Sequence, residues 1–140
     1  MYKCFENPEE WKNRFEEFIY EICKNGDCYI KLANEIKWKA FKDKERFDYH
    51  YDKHGKEFGD PSIFKQKDYL TAAKNFAKDP SKDFKETQIG NIIIKQDPKT
   101  NTIFLGNAKN KEIRTFYKGK GSAEQDWKEA LETAKYKTGK

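Results

Sequence analysis

The tightest constraint on what this chain can fold into is a change of hydrophobic period. Ile89-Gly90-Asn91-Ile92-Ile93-Ile94-Lys95 is β-branched, Asp97-Pro98-Lys99-Thr100-Asn101 has the composition of a turn, and Thr102-Ile103-Phe104-Leu105-Gly106 is a second apolar run. Ala108-Lys109-Asn110-Lys111 turns again before Glu112-Ile113-Arg114-Thr115-Phe116-Tyr117-Lys118. Three strands joined by such turns predict an antiparallel meander. Lys118-Gly119-Lys120-Gly121 then breaks the sheet, and Ser122 is placed to cap a last amphipathic helix carrying Trp127, Ala130, Leu131 and Ala134.

Upstream of residue 89 the period is helical. Asn7-Pro8-Glu9-Glu10 sets a capping side chain, a first-turn proline and acidic groups where a helix N-terminus needs acceptors. Trp11, Phe15, Phe18, Ile19 and Ile22 follow at helical spacing, and Asn25-Gly26 is a stop. A second helix is expected from Asp27, with Leu32, Ile36 and Ala40 on one face and a charged end at 41–46. A third is expected from Ser62 through Tyr69, Leu70, Ala73 and Phe76 to Lys78, ending before Asp79-Pro80. No internal repeat marks a boundary. The chain reads as one α+β domain, with N-terminal helices (1–45) on a small antiparallel sheet within an α+β unit (46–121) and a C-terminal helix at 122–137.

Composition narrows the function classes. The 140 residues include 29 Lys and Arg against 24 Asp and Glu, a net charge of +5, which permits a polyanionic partner without requiring one. With 3 Trp, 8 Tyr and 11 Phe the chain is too aromatic for a disordered segment. It holds no run near the ~18 apolar residues of a membrane span, and Met1 to Glu6 lacks the apolar stretch of a signal peptide, so action in a cytosol is expected. Cys4, Cys23 and Cys28 are an odd set without a Cys-x-x-Cys spacing, which fits reduced thiols.

The segment 47–62 is where chemistry concentrates. It holds both histidines, His50 and His54, at a spacing that shares a helical face. His-Tyr-Asp-Lys-His lacks the glutamate of a His-Glu-x-x-His zinc site and has no third imidazole at hand, so no metal is assigned. Lys53 and Lys56 flank His54, and Gly55 and Gly59 would let backbone approach a ligand, a combination suited to a phosphodiester. RNA can be cleaved without a metal: a base takes the 2′-OH proton, an acid protonates the leaving 5′-oxygen, and cations or donors hold the phosphorane charge. Strand alternation over 112–118 predicts Ile113, Thr115 and Tyr117 on one face and Glu112, Arg114, Phe116 and Lys118 on the other. Thr115 becomes a phosphate donor if its face meets the substrate.

Two blocks carry a resemblance. Lys53-His54-Gly55-Lys56-Glu57-Phe58-Gly59, followed by a helix and by paired strands ending in Lys111-Glu112-Ile113-Arg114-Thr115-Phe116-Tyr117-Lys118, resembles the C-terminal nuclease domains of bacterial polymorphic and contact-dependent inhibition toxins. The nearest pattern is the colicin D type tRNase, in the barnase, EndoU, colicin and RelE-like group. The resemblance spans 46–118, and residues 1–45 have no counterpart in it. It implies a metal-independent endoribonuclease that cleaves tRNA without a cofactor, with a barnase- or RelE-like sheet. His54 would be the general acid or base, Thr115 would sit at the phosphate, and Lys53 matches the family's lysine beside the histidine. Lys56, Arg114, Tyr117 and Lys118 are added on physical grounds, and His50 is either a second catalytic group or a packing neighbour. The resemblance also implies a tightly bound immunity protein as partner, a monomer when free, and action in a bacterial cytoplasm after delivery as the end of a secreted or surface protein.

Two readings compete with it. One is a non-catalytic nucleic-acid or protein-binding module using Lys, Arg and exposed aromatic rings. The other is a metal-dependent nuclease using His50 and His54 with Asp52 or Glu57.

Overall fold

A computed structural model describes residues 32–138. The helix expected after Asn7, the start of the second expected helix and all three cysteines lie outside the described residues. Four strands, β1 (Lys85–Ile89), β2 (Ile92–Asp97), β3 (Thr102–Asn107) and β4 (Glu112–Lys118), form an antiparallel sheet in the order β1-β2-β3-β4. The links between them are too short for a crossover, so each neighbour must run back along the last. Gly90, with φ 60°, opens the two-residue turn between β1 and β2, a conformation that suits a residue without a Cβ.

Helices flank both faces of the sheet: α1 (Lys44–His54) and α2 (Gln66–Lys78) precede it, and α3 (Ala123–Thr138) follows it. This is the expected α+β class with an antiparallel sheet. Tyr69, Ala73 and Ala77 of α2 share one core with Ile93, Phe104, Ile113, Phe116, Trp38 and Phe41. Strand alternation turns Ile94, Ile103 and Leu105 to the opposite face, where α3 packs with Trp127, Ala130, Leu131 and Ala134 buried. Ser122 caps α3 as expected, its Oγ accepting from the Gln125 N–H at 3.1 Å. No helix among the described residues is long and apolar enough to cross a membrane.

The run 89–95 is not one strand, because Gly90 and Asn91 turn between β1 and β2 and make the meander four strands in place of three; four further expectations need correction. Residues 32–43 are not the body of a second helix: a short 3-10 turn at Ala33–Glu35 gives way to extended chain. Ile36, Trp38 and Phe41 are buried while Lys37 and Lys39 are exposed, so strand period overrides the helical spacing of Leu32, Ile36 and Ala40. This segment lies along β4, with Lys39 N–H donating to Lys111 O, Ile113 N–H donating to Ala40 O, and Phe41 bridging Ile113 in parallel. Second, the charged stretch 41–46 does not end a helix but leads into one: α1 is started by Asp43, whose carboxylate accepts the Arg46 N–H at 2.9 Å, and it carries His50 and His54 on a shared helical face as expected. Third, α2 begins at Gln66 and not at Ser62, because Asp60 gathers the N–H groups of Ser62, Ile63 and Phe64 into a separate turn.

The fourth correction concerns the faces of β4. Leu105 pairs with Thr115 but Gly106 pairs with Ile113, so Arg114 is an extra residue in a β-bulge. The bulge turns Ile113 to the same core as Phe116. Thr115 and Tyr117, opposite Leu105 and Ile103, keep the other face. Ile113 therefore does not share a face with Thr115 and Tyr117.

Candidate active site

α1 runs beside β4 and presents one histidine per turn to it. His50 stacks on Phe41 (centroids 5.2 Å apart, planes at 23°), His54 stacks on His50 (6.1 Å, 21°), and Tyr117 tilts against His54 (5.4 Å, 34°). The result is a row of four rings, Phe41, His50, His54 and Tyr117, along the sheet edge. Thr115 joins it through its Oγ1, 3.4 Å from His50 Nδ1, a long contact.

The helix ends in a 3-10 turn, Gly55–Glu57, which brings Glu57 back over the last histidine. Glu57 Oε2 lies 3.0 Å from His54 Nδ1, and Oε1 accepts the Lys118 backbone N–H at 2.9 Å. The His54 side chain is only 14% exposed and that of Glu57 18%. One carboxylate thus links the end of α1 to the end of β4. Burial pushes the Tyr117 hydroxyl up to about 12, and the carboxylates of Asp126, Glu129 and Glu57 add to the effect. Near neutral pH this phenol is a hydrogen-bond donor and not a base.

Among the residues singled out from the sequence, His54, His50, Thr115 and Tyr117 come together, and Lys118 joins through its backbone. The Lys118 ammonium lies 5.5 Å over the Phe58 ring. Lys53 turns along the exposed side of α1, its Nζ 5.6 Å from the Tyr49 ring centroid and 3.4 Å from the Tyr49 hydroxyl. Lys56 is exposed on the 3-10 turn, and Arg114 occupies the bulge. No group of three or more His, Cys, Asp and Glu side chains among the described residues could hold a metal ion.

The glycines of 55–59 serve the chain's own rings. A Cβ on Gly55 would stand 2.6 Å from the Tyr51 ring, and one on Gly59 would stand 2.8 Å from Phe64. These close packing contacts account for both glycines without a ligand. The basic Gly119–Gly121 loop is likewise occupied from within, since Asp126 Oδ2 accepts Gly121 N–H at 2.9 Å and the Asn101 amide at 2.6 Å.

Two residues of the site carry weak signals in the sequence. Glu57 stands there within the 53–59 block and as a possible metal ligand. Its signal as a partner was the His54-x-x-Glu57 spacing across a helix end. Phe41, which backs His50, was hidden by reading 32–40 as helix. Compared with known proteins, the chain matches no protein-family model and no curated protein.

Proposed function

We propose that this chain is a metal-independent endoribonuclease of the bacterial toxin kind, cleaving tRNA by attack of a ribose 2′-oxygen on the adjacent phosphorus. The observation that carries the reading is the meeting of two stacked imidazoles on α1 with a threonine and a tyrosine of β4. In that reaction the 2′-oxygen bonds to phosphorus, the bond to the 5′-oxygen breaks, and the products are a 2′,3′-cyclic phosphate and a 5′-hydroxyl. One imidazole takes the 2′-OH proton and the other, protonated, supplies the proton that the 5′-oxygen needs. His54 has one of these roles and His50 is the partner for the other. Thr115 and the protonated Tyr117 donate hydrogen bonds to the phosphorane oxygens, and Lys53, Lys56, Arg114 and Lys118 hold the flanking phosphates.

The same reading takes the meander with α1 and α2 ahead of it as a sheet of the barnase and RelE kind. It also gives the chain an immunity protein as partner and a target-cell cytoplasm as its place of action. The test is total tRNA incubated with the protein in EDTA beside its His54→Ala variant, resolved on a denaturing gel. Discrete fragments from the wild type alone are expected. Intact tRNA with both proteins overturns the reading, and cleavage that survives His54→Ala removes His54 from the site.

A further inference from the structure

We propose that Glu57 is the positioning residue of this site, fixing His54 as the tautomer with its proton on Nδ1 and so making Nε2 the nitrogen that exchanges protons with a substrate. Donor and acceptor chemistry fixes the proton. The Lys118 backbone N–H can only donate, so Glu57 Oε1 accepts at 2.9 Å. Glu57 Oε2, 3.0 Å from His54 Nδ1, belongs to the same carboxylate, which when ionised has no hydrogen to give. The proton of that bond must therefore come from Nδ1, in the neutral and in the charged ring alike. Nε2 is then an acceptor in neutral His54 and a donor in the imidazolium, as proton transfer in both directions requires.

The carboxylate is itself held. Oε1 is anchored to the backbone of β4, and Glu57 sits on the 3-10 turn that follows α1 directly, with Phe58 N–H donating to Gly55 O to close it. Phe58 stacks on Phe116 at 4.3 Å and 8°, fixing the turn over the sheet. Neither end of the Glu57–His54 pair can swing away without breaking a packed contact. A structural role alone, tying α1 to β4, would need only the Lys118 contact and would leave the tautomer unspecified.

Glutamine separates the two roles because it has the shape of glutamate but only one acceptor. If its oxygen keeps the Lys118 N–H, its NH2 group faces Nδ1 and donates, which forces the proton onto Nε2. The experiment is 15N–1H correlation of the histidine rings in the full chain, above the imidazole titration range, for wild type and Glu57→Gln. We expect His54 protonated on Nδ1 in the wild type and on Nε2 in the variant. A wild-type ring protonated on Nε2 overturns the proposal without any variant. So does a folded Glu57→Gln protein that keeps the wild-type tautomer while the Lys118 backbone amide resonance shows its hydrogen bond to residue 57 intact.

The catalytic consequence rests on the ribonuclease reading, and the tautomer does not. In tRNA cleavage, Glu57→Gln should lower kcat about 10²- to 10⁴-fold, the scale of a lost general acid or base, with KM little changed. Wild-type protein that cleaves no RNA ends the ribonuclease reading while the 15N spectrum still decides the role of Glu57. Wild-type cleavage with an unaffected Glu57→Gln rate ends the positioning role and leaves the ribonuclease reading standing.

Discussion

Thr115 and His50 meet at the edge of the sheet, hydroxyl to imidazole at 3.4 Å, across 65 residues of sequence. A bond this long contributes little to stability, so the contact matters chiefly as a juxtaposition. The Thr115 hydroxyl is near enough to His50 for one phosphate to meet both. Thr115→Val keeps the β-branched shape and removes the donor. It is expected to lower kcat/KM about 10- to 100-fold, the range of a hydrogen bond to a charged group, while Thr115→Ser retains most activity. Equal rates for Val and Thr, measured on tRNA, would reduce the residue to a strand former.

What the sequence made legible, and what it hid, follows from the range of each interaction. β3, β4 and α3 are written in local pattern: β-branched runs, turn clusters, and Ser122 ahead of an apolar stripe. β1 was missed because Lys85-Glu86-Thr87-Gln88 is polar and pairs only through its neighbour, while Gly90 and Asn91 belong to the turn. The extended chain at 36–41 is ambiguous in the sequence because Leu32, Ile36 and Ala40 also satisfy a helical spacing, and only pairing with β4 decides between the two. The bulge at Arg114 had no local signature. For the site, His50 and His54 were visible as a pair on a helix face. Their meeting with Thr115 and Tyr117 depends on the register of a strand that lies 65 residues on from His50 at Thr115, which no local pattern records.

Tyr117 gives a prediction about pH. Its hydroxyl, pushed up to about 12, stays protonated across the range in which histidines titrate. Tyr117→Phe should therefore lower the cleavage rate about tenfold, by loss of one donor, and leave both limbs of the pH–rate profile where they were. A limb that vanishes in Tyr117→Phe would mean that the phenol itself exchanges the proton.

Gly55 distinguishes packing from ligand approach. Gly55→Ala sets a methyl 2.6 Å from the Tyr51 ring, which is held by the donation of its hydroxyl to Phe64 O. Overpacking of this kind should cost about 1–3 kcal/mol in urea unfolding. If glycine were there to admit a phosphate, the variant would keep wild-type stability and lose only RNA affinity. Unchanged stability would thus return Gly55 to the ligand role expected from the sequence.

Away from the site, Glu86 of β1 accepts the Ala33 N–H at 2.8 Å, and Lys95 Nζ is 4.0 Å from its carboxylate. Burial pushes the Glu86 carboxyl above its ordinary 4.5, with Glu35 adding to the rise, while the Ala33 bond and the Lys95 ammonium oppose it. The unfolded chain therefore releases this proton at lower pH than the folded one. Below the ordinary value Glu86 carries no penalty, and as pH rises from there through the raised folded value the folded state loses stability relative to the unfolded chain. Glu86→Gln retains an acceptor for Ala33 and has no charge to bury. Its stability relative to wild type should be flat at low pH, grow across that window and then level off. Burial pushes the Lys95 ammonium below its ordinary 10.5 against the pull of Glu86 and Asp79, and the comparison starts below Glu86's ordinary 4.5 and runs upward until the difference between the two proteins levels off. Denaturation curves over that range check it, and a variant that loses ground to wild type as pH rises would show that Lys95 outweighs burial at Glu86.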